Sequence, residues 1–251
     1  MYRLTSNCCN PLYLNKKFVY SLSAIILFLL ANFPANALTY KVPRIGNTVG
    51  EYTEIEAEQG DTLTELAEQY DIGVYEMLRA NHRLSHKALK AGTKVIIPAR
   101  FHLPPGPRKG MVLNLAEMRI FYYHPEEDLV STYPVGVGRQ GWSTPVGDTK
   151  IISKKMHPAW HPPASIRREE ERRGKTLPSV VPAGPHNPLG QYAMHLGISG
   201  ILIHGTNRPS SIGLKSSHGC IRMYANDIKE LFLSVPIQTT VRIINELSHK
   251  Q

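Results

Sequence analysis

One stretch, Ile201 to Met223, limits what this chain can be more than any other. The apolar run Ile201-Leu202-Ile203 leads into His204-Gly205, and the segment returns as Ser217-His218-Gly219-Cys220-Ile221-Arg222. Its first part reads as a short buried strand that delivers a histidine at its end. Glycines beside both histidines let backbone approach a partner where a side chain would block it. A thiol is a strong nucleophile only as thiolate, so an enzymatic cysteine needs a neighbour to take its proton. His204 lies sixteen residues before Cys220, and His218 two before it.

Three chemistries are open to such residues. A buried cysteine with two incidental histidines is the ordinary fate of each residue taken singly. A zinc site lacks the Cys-x-x-Cys or His-x-x-x-His partner that would complete its donors. A Cys/His nucleophile accounts for the whole pattern. His-Gly, a spacer of this length and Ser-His-Gly-Cys together resemble the signature of the L,D-transpeptidase catalytic domain. The resemblance implies Cys220 as nucleophile and His204 as its base, oriented by a neighbouring backbone carbonyl. It extends to Gly205, Ser217, His218, Gly219 and Arg222 as oxyanion and pocket residues, although many members carry Asn where Arg222 stands. It calls for no metal and no cofactor. On this reading His204 is expected to hold Cys220 as thiolate near neutral pH.

The first 37 residues read as an export signal. Arg3, Lys16 and Lys17 form a basic start without acidic residues, Phe18 to Phe33 is apolar, and Ala35-Asn36-Ala37 supplies a small-x-small cleavage pattern. That apolar run falls short of the roughly 20 residues a membrane-spanning helix needs; an uncleaved anchor is the alternative. Cleavage removes Cys8 and Cys9 and leaves Cys220 as a lone thiol in an oxidising compartment, where an idle thiol is a liability. It also removes three basic residues, so the formal charge falls from +9 to about +6. A basic exported chain suits an anionic surface such as the cell wall. No basic helix, zinc finger or aromatic RNA-binding motif supports a nucleic-acid partner. The expected location is the periplasm.

Residues 52–98 read as a small β-α-α-β module. Tyr52 to Ala57 alternates as a strand, and Thr62-x-x-Glu65 is a capping box at a helix start. Leu63, Leu66, Ala67 and Tyr70 fall on one helical face, Val74, Met77 and Leu78 make a second short helix, and Lys94 to Pro98 is a strand stopped by proline. With Gly60-Asp61-Thr62-Leu63 and Ala80-Asn81, the module resembles a lysin motif (LysM), which implies binding to glycan strands; a spacer without ligand is the plain alternative. Residues 99–108, with Pro104, Pro105 and Pro107, read as a stiff linker. Removal of the module is therefore expected to weaken wall binding while sparing turnover of small stem peptides.

From 109 to 245 the pattern changes to short strands: 111–115 and 119–123 as a hairpin, then 129–137, 148–153, 191–196, 200–204 and 239–244. One amphipathic helix follows Asn226-Asp227, which read as its start. This part is mostly β; that its strands form a β-sandwich is what the resemblance implies. Thr144-Pro145-Val146-Gly147 fits a turn of the same family. Residues 154–190 are irregular and proline-rich, and within them Ile166 to Arg173 reads either as a solvated helix or as a lid over the site. Trp160 and Tyr192 either wall a groove or fill core, and His157 and His195 read as structural.

The resemblance implies acyl transfer from the L-centre of a peptidoglycan tetrapeptide stem to an amine. The acceptor is either a second stem, giving a 3-3 cross-link, or the lysine of an outer-membrane lipoprotein. Stem peptides and glycan strands are the implied partners, and a carbapenem the implied covalent inhibitor. Two other readings stand beside it: an L,D-carboxypeptidase or amidase-type hydrolase that uses water, and a non-catalytic wall-binding protein.

Overall fold

A computed structural model describes residues 38–85 and 87–247; the expected export signal lies outside the described residues. In chain order these form β1 (Leu38–Lys41), β2 (Thr48–Glu56), α1 (Leu63–Gln69), α2 (Val74–Ala80), β3 (Lys94–His102), β4 (Gly110–Asn114), β5 (Arg119–Tyr123) and β6 (Leu129–Pro134). There follow β7 (Val137–Gly138), β8 (Gly147–Met156), α3 (Ala164–Arg172), β9 (Tyr192–Leu196), β10 (Leu202–His204), β11 (Lys215–Ser217), β12 (Ile221–Arg222), α4 (Ala225–Ser234) and β13 (Thr240–Ile244). The fold is mostly β, as expected.

Nine strands join in the order β1-β6-β5-β4-β13-β8-β9-β10-β12. The long strand β8 turns the corner of this sheet: Gly147–Lys150 pair with β13 and Ile151–Met156 with β9, with a register break between Ile151 and Ser153. Such a break bends a strand and increases its twist. The two halves then cover one core, sandwich-fashion. Met111, Leu113, Ile120, Val241 and Ile243 come from one half, Met194, Leu196, Ile203 and Ile221 from the other, and Ile228, Leu231 and Phe232 of α4 close the side.

Strand β5 is buried along its whole length and β4 from Met111 to Asn114, which one core cannot explain because side chains alternate between faces. Their second face carries Val112, Phe121 and Tyr123, and these belong to the core of the small module with Leu63, Leu66, Met77, Val95 and Ile97. The small module thus packs directly on the outside of the catalytic sheet. Burying Val112, Phe121, Tyr123 and Val130 contributes roughly 6–12 kcal/mol at about 1.5–3 kcal/mol each, as much as the net stability of a typical domain.

This arrangement changes two expectations. Strand β3 does not stop at Pro98; residues 99–102, read as the start of a linker, stay paired with Thr48–Glu51 of β2. The module is also bound more firmly than a tethered one. Arg119 of β5 is buried, donates to Thr132 Oγ1 (3.0 Å) and Glu76 Oε2 (3.1 Å), and lies 3.7 Å over the Phe101 ring. The Tyr224 hydroxyl donates to Ile72 O at 3.0 Å. The capping box is present as read, with Thr62 Oγ1 accepting from Glu65 N–H. By contrast, α4 starts at Ala225, and Asp227 does not cap it. Its carboxyl is buried beside that of Asp71 from the small module.

Candidate active site

Strands β10 and β12 run parallel, with Ile203 beside Ile221 and His204 beside Arg222. Both isoleucines enter the core. Alternation then sends Leu202, His204, Cys220 and Arg222 to the opposite face, because residues beside each other on paired strands share a side. The family-type base and nucleophile are therefore brought onto one face by a two-residue parallel ladder. That face opens into a cleft of about 370 Å³, lined by His204, Ser217, His218, Cys220 and Arg222. The larger groove of the molecule, about 860 Å³ beside Tyr52, Tyr75, Arg79 and Met118, holds none of these residues.

His204 is buried, and its Nδ1 lies 2.6 Å from the Gly205 carbonyl. A carbonyl can only accept, so Nδ1 carries the proton and Nε2 keeps a lone pair. Burial pushes the imidazole pKa down to about 4, ahead of the opposing pull of the Gly205 carbonyl. Burial also pushes the Cys220 thiol above its ordinary value, against the Leu202 backbone N–H and the Arg222 charge. In the resting geometry the thiol points its hydrogen at Gly200 O, 3.4 Å away. Both shifts favour the neutral pair over thiolate and imidazolium. The thiolate expected from the sequence is thus the less favoured state of this pair.

The nucleophile turn is held from inside. Ser217 is fully buried, donating to Cys220 O (2.5 Å) and accepting from Gly219 N–H (3.1 Å). Gly219 adopts φ +102°, a conformation that favours glycine, while its carbonyl accepts from Thr144 Oγ1 at 2.8 Å. Thr144 opens the Thr-Pro-x-Gly turn, so that turn braces the nucleophile. Because the Gly219 N–H is committed to Ser217, it is not free to receive an oxyanion.

His218 does not face a base's task. Its Nε2 lies 3.1 Å from Glu169 Oε2 of α3, and its ring meets Trp142 edge-on at 4.9 Å. Arg139 reaches both Glu169 oxygens (2.5 and 2.7 Å) and lies 3.0 Å from His218 Nε2, and Arg173 adds a contact to Glu169 at 2.6 Å. Burial opposes ionisation of Glu169, but these cations hold its carboxyl below the usual range. Sequence reading missed Glu169 and Arg139, since a mixed-charge helix carries no mark of which acid turns inward. The helix they anchor belongs to the cleft wall, with Ile166, Glu170 and Arg173 lining it beside Trp160. Lid and solvated helix are therefore both in part right: one face of α3 lines the site and the other faces water. Tyr192 packs instead on Phe232, and His157 and His195 lie outside the cleft lining. Asn187 holds the proline-rich segment, donating to Pro158 O (2.8 Å) and accepting from Leu189 N–H (2.9 Å).

Residues 108–243 match the YkuD family, the L,D-transpeptidase catalytic domain, and residues 56–98 match the LysM domain. The chain is 40% identical over 222 residues to the probable L,D-transpeptidase ErfK/SrfK of Escherichia coli, covering 87% of this chain and 71% of that protein. It is 41% identical over 216 residues to the probable L,D-transpeptidase YbiS of the same species, covering 84% and 70%. Since the likeness runs through the small module, the cleft and the nucleophile turn alike, the chain belongs to the L,D-transpeptidase family.

Proposed function

We propose that this L,D-transpeptidase works outside the inner membrane on peptidoglycan, joining a tetrapeptide stem to an amine through a thioester on Cys220. The observation that carries the reading is the β10–β12 register, which turns His204 and Cys220 to one face. The Cys220 proton passes to His204 Nε2 as the sulfur attacks the carbonyl between the L-centre and the terminal D-residue. The C–N bond breaks, the leaving amine takes the proton from His204, and the acyl group stays on sulfur. An acceptor amine then attacks the thioester, gives its proton to His204, and the departing sulfur recovers it. With Gly219 N–H engaged, the Cys220 N–H is the oxyanion donor; loss of one such donor costs about 10²–10³ in rate.

The charge of the cleft fits an anionic donor. Arg173, Lys175, Arg208 and Arg222 line it against Glu170. Arg222 offers a bidentate fork to a stem carboxylate. The LysM module supplies affinity for glycan strands, and a carbapenem acylates Cys220 because its strained amide needs no leaving D-residue.

The test is to incubate the purified protein with a disaccharide tetrapeptide, alone and with a lysine-ending lipoprotein peptide, and to follow products by mass spectrometry. Loss of the D-residue with formation of a 3-3 dimer or a peptide conjugate is expected, absent in Cys220→Ala. A tripeptide product alone means water is the acceptor and the enzyme is a hydrolase. Turnover by Cys220→Ala overturns the mechanism.

A further inference from the structure

The spacer between His204 and Cys220 has little regular structure, one 3-10 turn at Pro209–Ser211 and the short strand β11. Its first residues, Thr206, Asn207 and Arg208, line the cleft, and its last lead into the nucleophile turn. A loop of this kind takes its position from what it rests on. Here it rests on the LysM module. The Val74 N–H, at the first position of α2, donates to Ile212 O at 2.9 Å. That N–H has no partner within its own helix, and Gly73 offers no side-chain cap, so the catalytic domain caps the module's helix.

Beside this bond two glycines meet backbone to backbone. A β-carbon on Gly213 would lie 2.6 Å from Gly73 Cα, and one on Gly73 would lie 3.0 Å from Gly213 Cα. The spacer's other side is stitched to the catalytic sheet by Gly213 N–H to Val135 O (3.1 Å) and Val137 N–H to Leu214 O (3.0 Å). Between them Gly136 exchanges two 2.9 Å hydrogen bonds with Arg222, two residues past the nucleophile. A continuous set of backbone contacts thus joins α2 to the strand that follows Cys220.

We propose that the LysM module is a positioning element of the active site. The start of α2 clamps the spacer at Ile212–Gly213 and so keeps Thr206, Asn207 and Arg208 in place as a wall of the donor cleft. The inference goes beyond glycan affinity and rests on that cleft being the acyl-transfer site.

Val74→Pro tests it in the full-length protein. Proline is tolerated at the first helical position, and Gly73, at φ −66° and ψ 140°, already has the extended conformation favoured before proline. The substitution therefore removes the clamp's donor and keeps the helical backbone, although it also replaces the buried Val74 side chain. Leu66→Ala, which empties a buried position of the same module away from the spacer, is the control. Val74→Pro should raise KM for a soluble tetrapeptide about five- to tenfold with kcat within about twofold. Hydrogen exchange at the Gly213 and Val137 amides should quicken about tenfold. Leu66→Ala should lower Tm yet keep KM and both exchange rates. Wild-type exchange at the two amides in Val74→Pro overturns the clamp. So does an equal rise of KM in Leu66→Ala, which would mean general loosening, and so does faster exchange with unchanged KM. If wild type fails to turn over the tetrapeptide, the acyl-transfer reading falls, while the exchange experiment still judges the clamp.

Discussion

The protonation state of His204 decides a ratio that can be measured at pH 5.5. An imidazole titrating at its ordinary 6.5 would be about 9% neutral there, whereas one held at about 4 is about 97% neutral. The depression corresponds to about 3 kcal/mol between the two forms, from burial of the ring. If His204 takes the thiol proton during attack, kcat/KM on a soluble tetrapeptide should hold its plateau to about pH 5 and fall on an acid limb near 4. Alkylation of Cys220 by iodoacetamide should climb only above the ordinary thiol range, without a plateau between pH 5 and 8. His204→Ala should lower turnover by about 10²–10⁴ and abolish the acid limb. Stability follows the same group with a definite sign. Since the folded imidazole has the lower pKa, the unfolded chain binds the extra proton between pH 6.5 and 4. Stability is then complete above about 6.5 and drops by about 3 kcal/mol as pH falls through that window, a slope that His204→Ala should flatten. An acid limb at 6.5 or above would refute the depressed imidazole, and an alkylation plateau at low pH would restore a thiolate–imidazolium site.

Three further outcomes are expected. Burial raises both Asp71, to about 6, and Asp227, so this pair stabilises the fold below about pH 4 and loses that contribution as pH rises through 6; Asp227→Asn, which offers Asp71 a donor, should raise Tm by about 5 °C at pH 8 and little at pH 4 by calorimetry. Glu169→Gln should loosen α3, seen as faster proteolysis within residues 164–175, and slow carbapenem acylation about tenfold, whereas unchanged acylation would remove the α3 latch from the site. Deleting residues 52–98 should abolish turnover of small peptides as well as wall binding, because it uncovers Val112, Phe121 and Tyr123; a folded fragment with wild-type kcat would contradict the shared core.

Much of this protein was legible in local pattern. The capping box at Thr62–Glu65, the helical face of Leu63, Leu66 and Ala67, and the β4–β5 hairpin follow from periodicity and turn chemistry, which act between near neighbours. That His204 and Cys220 share one cleft was legible because an unusual set of residues recurs at a family spacing. Other features depended on which surfaces meet. Nothing near Glu169 marks it, among three consecutive glutamates, as the acid that reaches Arg139 and His218. Asp227 reads as a helix start, yet burial, and after it the approach of Asp71 from a distant part of the chain, raises its pKa. The full burial of Arg119-Ile-Phe-Tyr-Tyr signals two covered faces, but not that the small module supplies the second cover. The sequence led to an expected thiolate on Cys220, whereas burial, a property of the packed whole that side-chain type does not carry, shifts both groups toward the neutral pair. Local sequence determined the elements and the reagents; long-range packing decided which of them share a proton, a face or a core.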